Sequence, residues 1–461
     1  MSSDAATRNA FLHGSLGAIF AKTALPIIFV MSMNGLQAVI DAVFLGVFVG
    51  PEALGAVTLM FPFFMIIIAL ATLVGSEMSS ILSRRLGAGS FDEARSVFAG
   101  AHGLALAVSA CLILLFLVFG GPVTRLAAGG SPVLEHLGYV YLKILVLSSP
   151  VFFVMAVNVD ALRNEGRTGF MAAMSLLVSL ANMGFTYVLI VVMGLGVAGS
   201  AYGTALAQAL ALSIIVVFRM RGRTQLRPAA LLHHSPFTGW RRILALGAPQ
   251  SLNFMGIALV SASIIASLQL SGGGSYQATV SAYGIITRIM TFVFLPLLGL
   301  SQALQAIVGN NYGAQAWTRS NSSLRLGLTI ALVYCIAAEC SLALLAEPIG
   351  FAFVDDRQVV GEVVRILPVM TAMYFLSGPL VMIAIYFQSI GDAGRAAVLG
   401  LAKPYAFVIP MIFLLPLAFG EQGIWMATPV AELLLLGLTG VVLVATARRR
   451  NLRWGLFVTG A

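Results

Sequence analysis

The chain has 461 residues, of which 59% are apolar without counting glycine and only 9% are charged. Soluble globular chains hold roughly 45–50% apolar residues with glycine included and about 25% charged ones, so the composition excludes a water-soluble fold and makes lipid the solvent. Seventeen acids against 26 bases leave a net charge of +9, but the bases sit in the breaks between apolar runs, which argues against a nucleic-acid surface.

A helix needs about 20 apolar residues to cross a hydrocarbon core roughly 30 Å thick. The polar, Gly- and Pro-rich breaks predict twelve spans, near 17–48, 52–82, 94–121, 134–160, 168–193, 197–219, 241–271, 276–308, 320–346, 360–387, 396–419 and 422–447. The polar start, Met1 to Ser15, has no small-residue cleavage site after a short apolar core, so the first span is expected to direct insertion itself. The connections alternate in character. Those near 83–95, 161–167, 219–242, 309–325 and 388–395 are basic, as is the tail from Arg448; those near 49–51, 194–196, 272–275 and 420–421 carry no base. Lys and Arg concentrate in cytoplasmic loops, which places both termini in the cytoplasm.

The connection from Arg219 to Arg242 holds six arginines and divides the chain nearly in half. It reads either as a contact for anionic headgroups or as a linker whose charge fixes topology. The expected organisation is an amino-terminal lobe over 1–220, a basic cytoplasmic linker over 221–240, and a carboxyl-terminal lobe over 241–461. Cys111, Cys335 and Cys340 all lie in apolar runs, so neither a disulfide framework nor a zinc spacing is available.

The halves repeat. Pro26 matches Pro249 at an offset of 223, Arg84-Arg-Leu-Gly-Ala-Gly matches Asn310-Asn-Tyr-Gly-Ala-Gln at 226, and Arg163-Asn-Glu-Gly matches Gln388-Ser-Ile-Gly at 225. Six spans per half give both repeats the same orientation, related by an axis along the membrane normal, as in parallel-repeat secondary transporters. The fold class is therefore all-α integral membrane: twelve transmembrane helices in two six-helix bundles related by that pseudo-two-fold.

Several segments carry a family likeness, in order along essentially the whole chain. They are Asp41-Ala-Val-Phe-Leu-Gly-Val, Ser83-Arg-Arg-Leu-Gly-Ala-Gly with Asp92-Glu-Ala, Asn158 through Arg163 with Gly166, Asn182, and Gly196-Val-Ala-Gly199. The second half adds Gly309-Asn-Asn-Tyr-Gly-Ala-Gln, Phe387-Gln-Ser-Ile-Gly-Asp and Gly423-Ile-Trp425. The sequence resembles the multidrug and toxic compound extrusion (MATE) family, and within it the DNA-damage-inducible (DinF-like) branch. The resemblance implies a multi-pass protein of the bacterial inner membrane, not an enzyme, acting as a monomer in the lipid bilayer. Its expected partners are small organic cations or amphipathic drugs rather than nucleic acid. It needs no cofactor and no metal centre beyond a coupling H+ or Na+.

Asp41 is the sharpest candidate. It lies about 10 Å below the outer surface at about 1.5 Å per residue, and a carboxylate there costs about 2.5–3.5 kcal/mol on insertion scales, so it faces a cavity or a partner. A proton exchanged on such a group can couple an ion gradient to substrate movement; the competing reading is a fixed pair with Lys143 at similar depth. The resemblance implies an ion-coupling site of Asp41, Asn182 and Thr204, with Asn158 on the opposite wall and Pro26 as a bend in the first span. The candidate substrate and gating residues are Pro26, Asn34, Gln37, Asn158 and Thr186. Interhelical hydrogen bonding is the plain alternative for the asparagines and Thr204, and a static kink for Pro26. The family's second aspartate, four residues after the asparagine, is here Thr186, and a single carboxylate favours a proton over sodium.

Arg288 and Glu432, at similar depth in the second half, are expected to form a structural polar pair. Asp160 and Arg163, three apart, are spaced for an ion pair on one helix face. Glu77 reads as gating or salt bridging and Glu339 as solvated at the outer interface. No Gly-Lys-Ser/Thr phosphate loop exists, so ATP is not the direct energy source. The function expected is a cation-coupled antiporter exporting amphipathic drugs by alternating access. The alternative is a lipid-linked polysaccharide or precursor flippase, for whose pyrophosphate the first-half spans offer only Lys22 and Lys143. A transporter of the major facilitator type is disfavoured by Ser83-Arg-Arg-Leu-Gly-Ala-Gly, which stands where that type carries its Asp-Arg-x-Gly-Arg-Arg loop.

Overall fold

In lipid every backbone amide must be satisfied within its own segment, and long helices meet that demand throughout. The computed structural model describes residues 9–128, 131–222, 224–271, 276–354, 356–450 and 453–457. The helices are α1 (Leu16–Phe44), α2 (Pro51–Gly87), α3 (Phe91–Ala127), α4 (Pro132–Leu147), α5 (Ser149–Asn164), α6 (Thr168–Tyr187), α7 (Gly196–Met220), α8 (Ala230–His233), α9 (Trp240–Ser271), α10 (Tyr276–Gly313), α11 (Trp317–Leu344), α12 (Ala346–Phe353), α13 (Arg357–Thr371), α14 (Tyr374–Ser389), α15 (Ala393–Leu401), α16 (Ile409–Leu414), α17 (Pro416–Phe419) and α18 (Glu421–Arg450). Three wide π turns, Leu45–Val49, Val188–Val192 and Ala402–Val408, follow α1, α6 and α15.

Ten stretches are long and apolar enough to cross a bilayer singly, and two bent pairs, α4 with α5 and α13 with α14, qualify together to make twelve. The bends, 48° and 44°, have local causes. Pro150 in the first turn of α5 has no N–H to give and displaces the turn before it. In the second pair Met373 turns left-handed at φ +70°, and the Glu339 carboxylate accepts from Met373 N at 3.2 Å and Phe375 N at 2.8 Å. Glu339 is thus the cap of α14 rather than a solvated interface residue.

The chain divides into two compact units, residues 1–14 with 21–251 and residues 15–20 with 252–461. Each is helical and apolar-faced towards lipid: Leu114, Leu117, Val118 and Phe119 of α3 are all more than half exposed, a pattern tolerable only against hydrocarbon. The core of the second unit gathers Ile264, Ile286, Val363, Ile412 and Trp425. Helices approach closely where small residues allow it: a Cβ on Gly203 would meet Thr186 Oγ1 at 2.5 Å, and one on Gly378 would meet the Ala331 carbonyl oxygen at 2.6 Å.

The repeat extends to backbone detail. The turn after α2 bonds Ala88 N to Arg84 O, Gly89 N to Leu86 O and Ser90 N to Arg85 O; the turn after α10 bonds Ala314 N to Asn310 O, Gln315 N to Tyr312 O and Ala316 N to Asn311 O. Gly89 and Gln315 both turn left-handed, at φ +72° and +56°, as do Gly166 and Gly391, at +74° and +83°.

The chain leaving each lobe's last span folds back on that lobe. The connector after α7 lies on α3 so closely that a Cβ on Gly100 would meet the Thr238 carbonyl oxygen at 1.9 Å, and one on Gly103 that of Pro236 at 2.1 Å. Trp240 Nε1 donates to Gly100 O at 2.9 Å. After α18, Arg325 of α11 stacks over Phe457 at 4.8 Å, and Tyr386 of α14 donates to Leu456 O at 2.6 Å.

Candidate functional site

In the first unit, α1, α6 and α7 bring Asp41, Asn182 and Thr204 together. Asn182 is fully buried. The amide orientation that satisfies both its ends has Nδ2 donating to Asp41 Oδ1 at 3.0 Å and the oxygen accepting from Thr204 Oγ1 at 3.0 Å. Gln37, one turn before Asp41, hydrogen-bonds the carboxyl group and accepts from Ser179 Oγ at 3.2 Å. The ion pairs of this unit among the described residues are Arg85–Glu93, Arg125–Glu135, Arg163–Asp160, Arg219–Glu165 and His234–Asp92, none of which includes Asp41. Lys143 is exposed and does not serve as its counter-ion. Asp41 therefore faces amides and a hydroxyl rather than a base.

Other sequence candidates fall elsewhere. Thr186 is buried against Gly203 and its hydroxyl has no hydrogen-bond partner among the described residues, so it adds packing where a carboxylate would add charge. No group of three His, Cys, Asp or Glu able to hold a metal ion occurs among the described residues. Pro26 lies within α1, about 22 Å along the helix from Asp41 at about 1.5 Å per residue. The side chains of Asn34 and Glu77 lie outside the described residues.

Asn158 belongs to a second constellation, where the first unit meets its connector. Arg219, 1% exposed, donates through Nε to Asn158 Oδ1 at 3.0 Å, and through Nη1 to Glu165 Oε2 at 2.8 Å and Leu226 O at 2.9 Å. Its guanidinium stacks over Phe98 at 5.1 Å, Asn158 Nδ2 bonds His102 Nε2 at 3.0 Å, and Glu165 Oε1 accepts from Leu226 N at 2.9 Å. Asn158 is held by this arginine. Beside it, Asp160 and Arg163 form the ion pair their spacing predicts, at 2.8 Å.

In the second unit the expected pairing of Arg288 with Glu432 is corrected. Arg288 is exposed. Glu432, 2% exposed, takes Lys403 as its counter-ion and accepts a hydrogen bond from Ser377 Oγ. Lys403 stands on the π turn after α15, whose extra residue rotates the helix that follows; a depth count along straight helices cannot see this. Lys403, the only base in its span, was the available signal.

A helical transporter fold with internal repeats and a membrane-embedded carboxyl is the class these features define. The MatE family model matches twice, over residues 26–188 and 252–414, at a constant offset of 226. The chain belongs to the MatE family, whose members are transporters and not enzymes. The FAD transporter of Shewanella oneidensis is 26% identical over 436 residues, 93% of this chain and 94% of that one. Multidrug export protein MepA of Staphylococcus aureus is 23% identical over 413 residues, 89% of each chain. A solved MOP-superfamily transporter from Pyrococcus furiosus has the same fold, with a TM-score of 0.86 at 23% identity, covering 97% of this chain and all of that one.

Proposed function

We propose that this protein is a proton-driven antiporter that exports amphipathic organic cations across the bacterial inner membrane by alternating access, with Asp41 as the coupling acid. The Asp41 carboxyl carries the reading, because it is met by neutral hydrogen-bonding groups, Asn182 and Gln37, and no described base holds it ionised. With Asp41 ionised, Asn182 Nδ2 donates to the carboxylate and its oxygen accepts from Thr204 Oγ1. With Asp41 protonated, the carboxyl gains an O–H donor, to which an asparagine amide can answer with its oxygen. A proton arriving on α1 thus changes the hydrogen-bonding demand on the amide of α6, which in turn bonds the hydroxyl of α7.

A single carboxylate amid neutral groups supports a proton over sodium, which prefers several oxygen ligands with compensating charge. Each charge moved through 100 mV supplies about 2.3 kcal/mol, enough for a severalfold gradient of drug. The named relatives support organic substrates in general, and one of them carries FAD. The test is efflux of ethidium, and separately of FAD, measured with inverted vesicles under a proton gradient alone and a sodium gradient alone. Ethidium movement driven by protons and lost in Asp41→Asn supports the reading. Sodium-driven movement, or normal movement in Asp41→Asn, overturns the coupling, and FAD transport without ethidium transport overturns the substrate class.

A further inference from the structure

We propose that Glu432 is a second proton-exchange site, seated in the carboxyl-terminal lobe, with the exchanged proton carried on Oε2. This extends the proton-antiport reading above and rests on it for its role in transport.

The two oxygens of Glu432 have unequal surroundings. Oε1 accepts from Ser377 Oγ of α14 and from Lys403 Nζ of the π turn, while Oε2 is buried with no hydrogen-bond partner among the described residues. A buried carboxylate oxygen without a hydrogen bond has given up its hydration unrewarded, and such an atom calls for an explanation. Here a proton adds at Oε2 without breaking either bond at Oε1. Tyr374 Oη, another buried group without a partner, lies within electrostatic range of this carboxylate.

The surroundings are those of a site. α14 starts at the break after Ala372, and broken helices line the ion and substrate sites of secondary transporters. Lys403 stands on a π turn, a local widening frequent at functional positions. Its side chain is 31% exposed, against 2% for Glu432, so the lysine is the outer member of the pair. The titratable and charged groups coupled to this cluster are Lys403 on the π turn, Tyr374 on α14, and Tyr334, Cys335 and Glu339 on α11; the packed elements also carry Tyr405 on the π turn, Tyr386 on α14, Arg395 paired with Asp392, and on α13 Arg357 and the Arg365 that pairs with Glu362 and Glu421. With Lys403 charged, the pair is neutral when Glu432 is ionised and carries one positive charge when Oε2 is protonated. The proton is exchanged with water, and no other reactant is needed.

The experiment measures protons released when ethidium binds the purified full-length protein in weakly buffered detergent, using a pH-indicator dye. Infrared difference spectra of the carboxyl C=O stretch are recorded alongside. The proteins are wild type, Asp41→Asn, Glu432→Gln, and the doubly changed Lys403→Met/Glu432→Gln, which removes the buried pair together and so avoids a lone buried ammonium. Release falling to about half in Asp41→Asn and in either Glu432 variant, with a pH-dependent carboxyl band lost only in the Glu432 variants, supports the proposal. Undiminished release in the double variant overturns it. If wild type releases no proton, the antiport reading fails; a missing Glu432-dependent infrared band then overturns the site as well.

Discussion

The two lobes are copies in backbone and opposites in charge. In the first, Asp41 is set among a glutamine, an asparagine and a threonine, and no described base answers it. In the second, Glu432 lies deeper and holds a lysine. The residues 226 positions before Lys403 and Glu432 are Leu177 and Leu206, and the one 226 after Asp41 is Ser267, so neither lobe keeps the other's charges. Repetition constrained the helices and their turns, while the polar interiors diverged. The comparison teaches that an acid facing only neutral groups can change protonation with little structural consequence beyond an amide, whereas one tied to an ammonium also carries part of its lobe's stability.

The largest expected effect breaks the comparison outright. Asp41→Asn should abolish proton-driven ethidium efflux from inverted vesicles, at normal protein levels by immunoblot and with an unchanged melting temperature. The opposite profile is expected of Lys403→Met. Removing one member of a buried pair costs about 3–5 kcal/mol, read as a large drop in thermal stability, and adding Glu432→Gln should return most of it; a loss that the second change leaves untouched would dissolve the contrast. Arg219→Met is a control within the first lobe. It orphans Glu165 and should cost stability on the same scale of about 3–5 kcal/mol, while ethidium affinity stays within a few-fold of wild type.

Two smaller changes sharpen the picture. Thr204→Val removes the hydroxyl at the far end of the Asn182 relay, worth about 0.6 kcal/mol by membrane double-mutant cycles, and should lower efflux several-fold with little change in melting. Gln315→Gly, at a left-handed turn whose counterpart is already glycine, should stabilise the protein by about 1 kcal/mol, visible as a rise of a few degrees or less.

The twelve spans were legible because lipid imposes a single rule on every one of them: about 20 apolar residues between polar breaks. The Asp41–Asn182–Thr204 grouping was legible from the family resemblance, since only its motif order places residues from the first, fifth and sixth spans side by side. What stayed hidden were contacts set by departures from a straight helix. The break at Ala372–Met373 turned Glu339 from a surface acid into a cap, and the π turn at Ala402–Val408 delivered Lys403, not Arg288, to Glu432. Arg219 looked like one more basic loop residue because its partners Asn158, Glu165 and Leu226 come from different segments, and no periodicity within one helix announces them.

The returning strands bear on how such a protein could have arisen. Each half carries, after its sixth span, a stretch that packs on its own third span: Pro236 and Thr238 over Gly100 and Gly103, and Phe457 beneath Arg325, with Leu456 also against Tyr386 of the fourth. A half that covers part of its own surface in this way fits an origin by duplication of one six-helix unit.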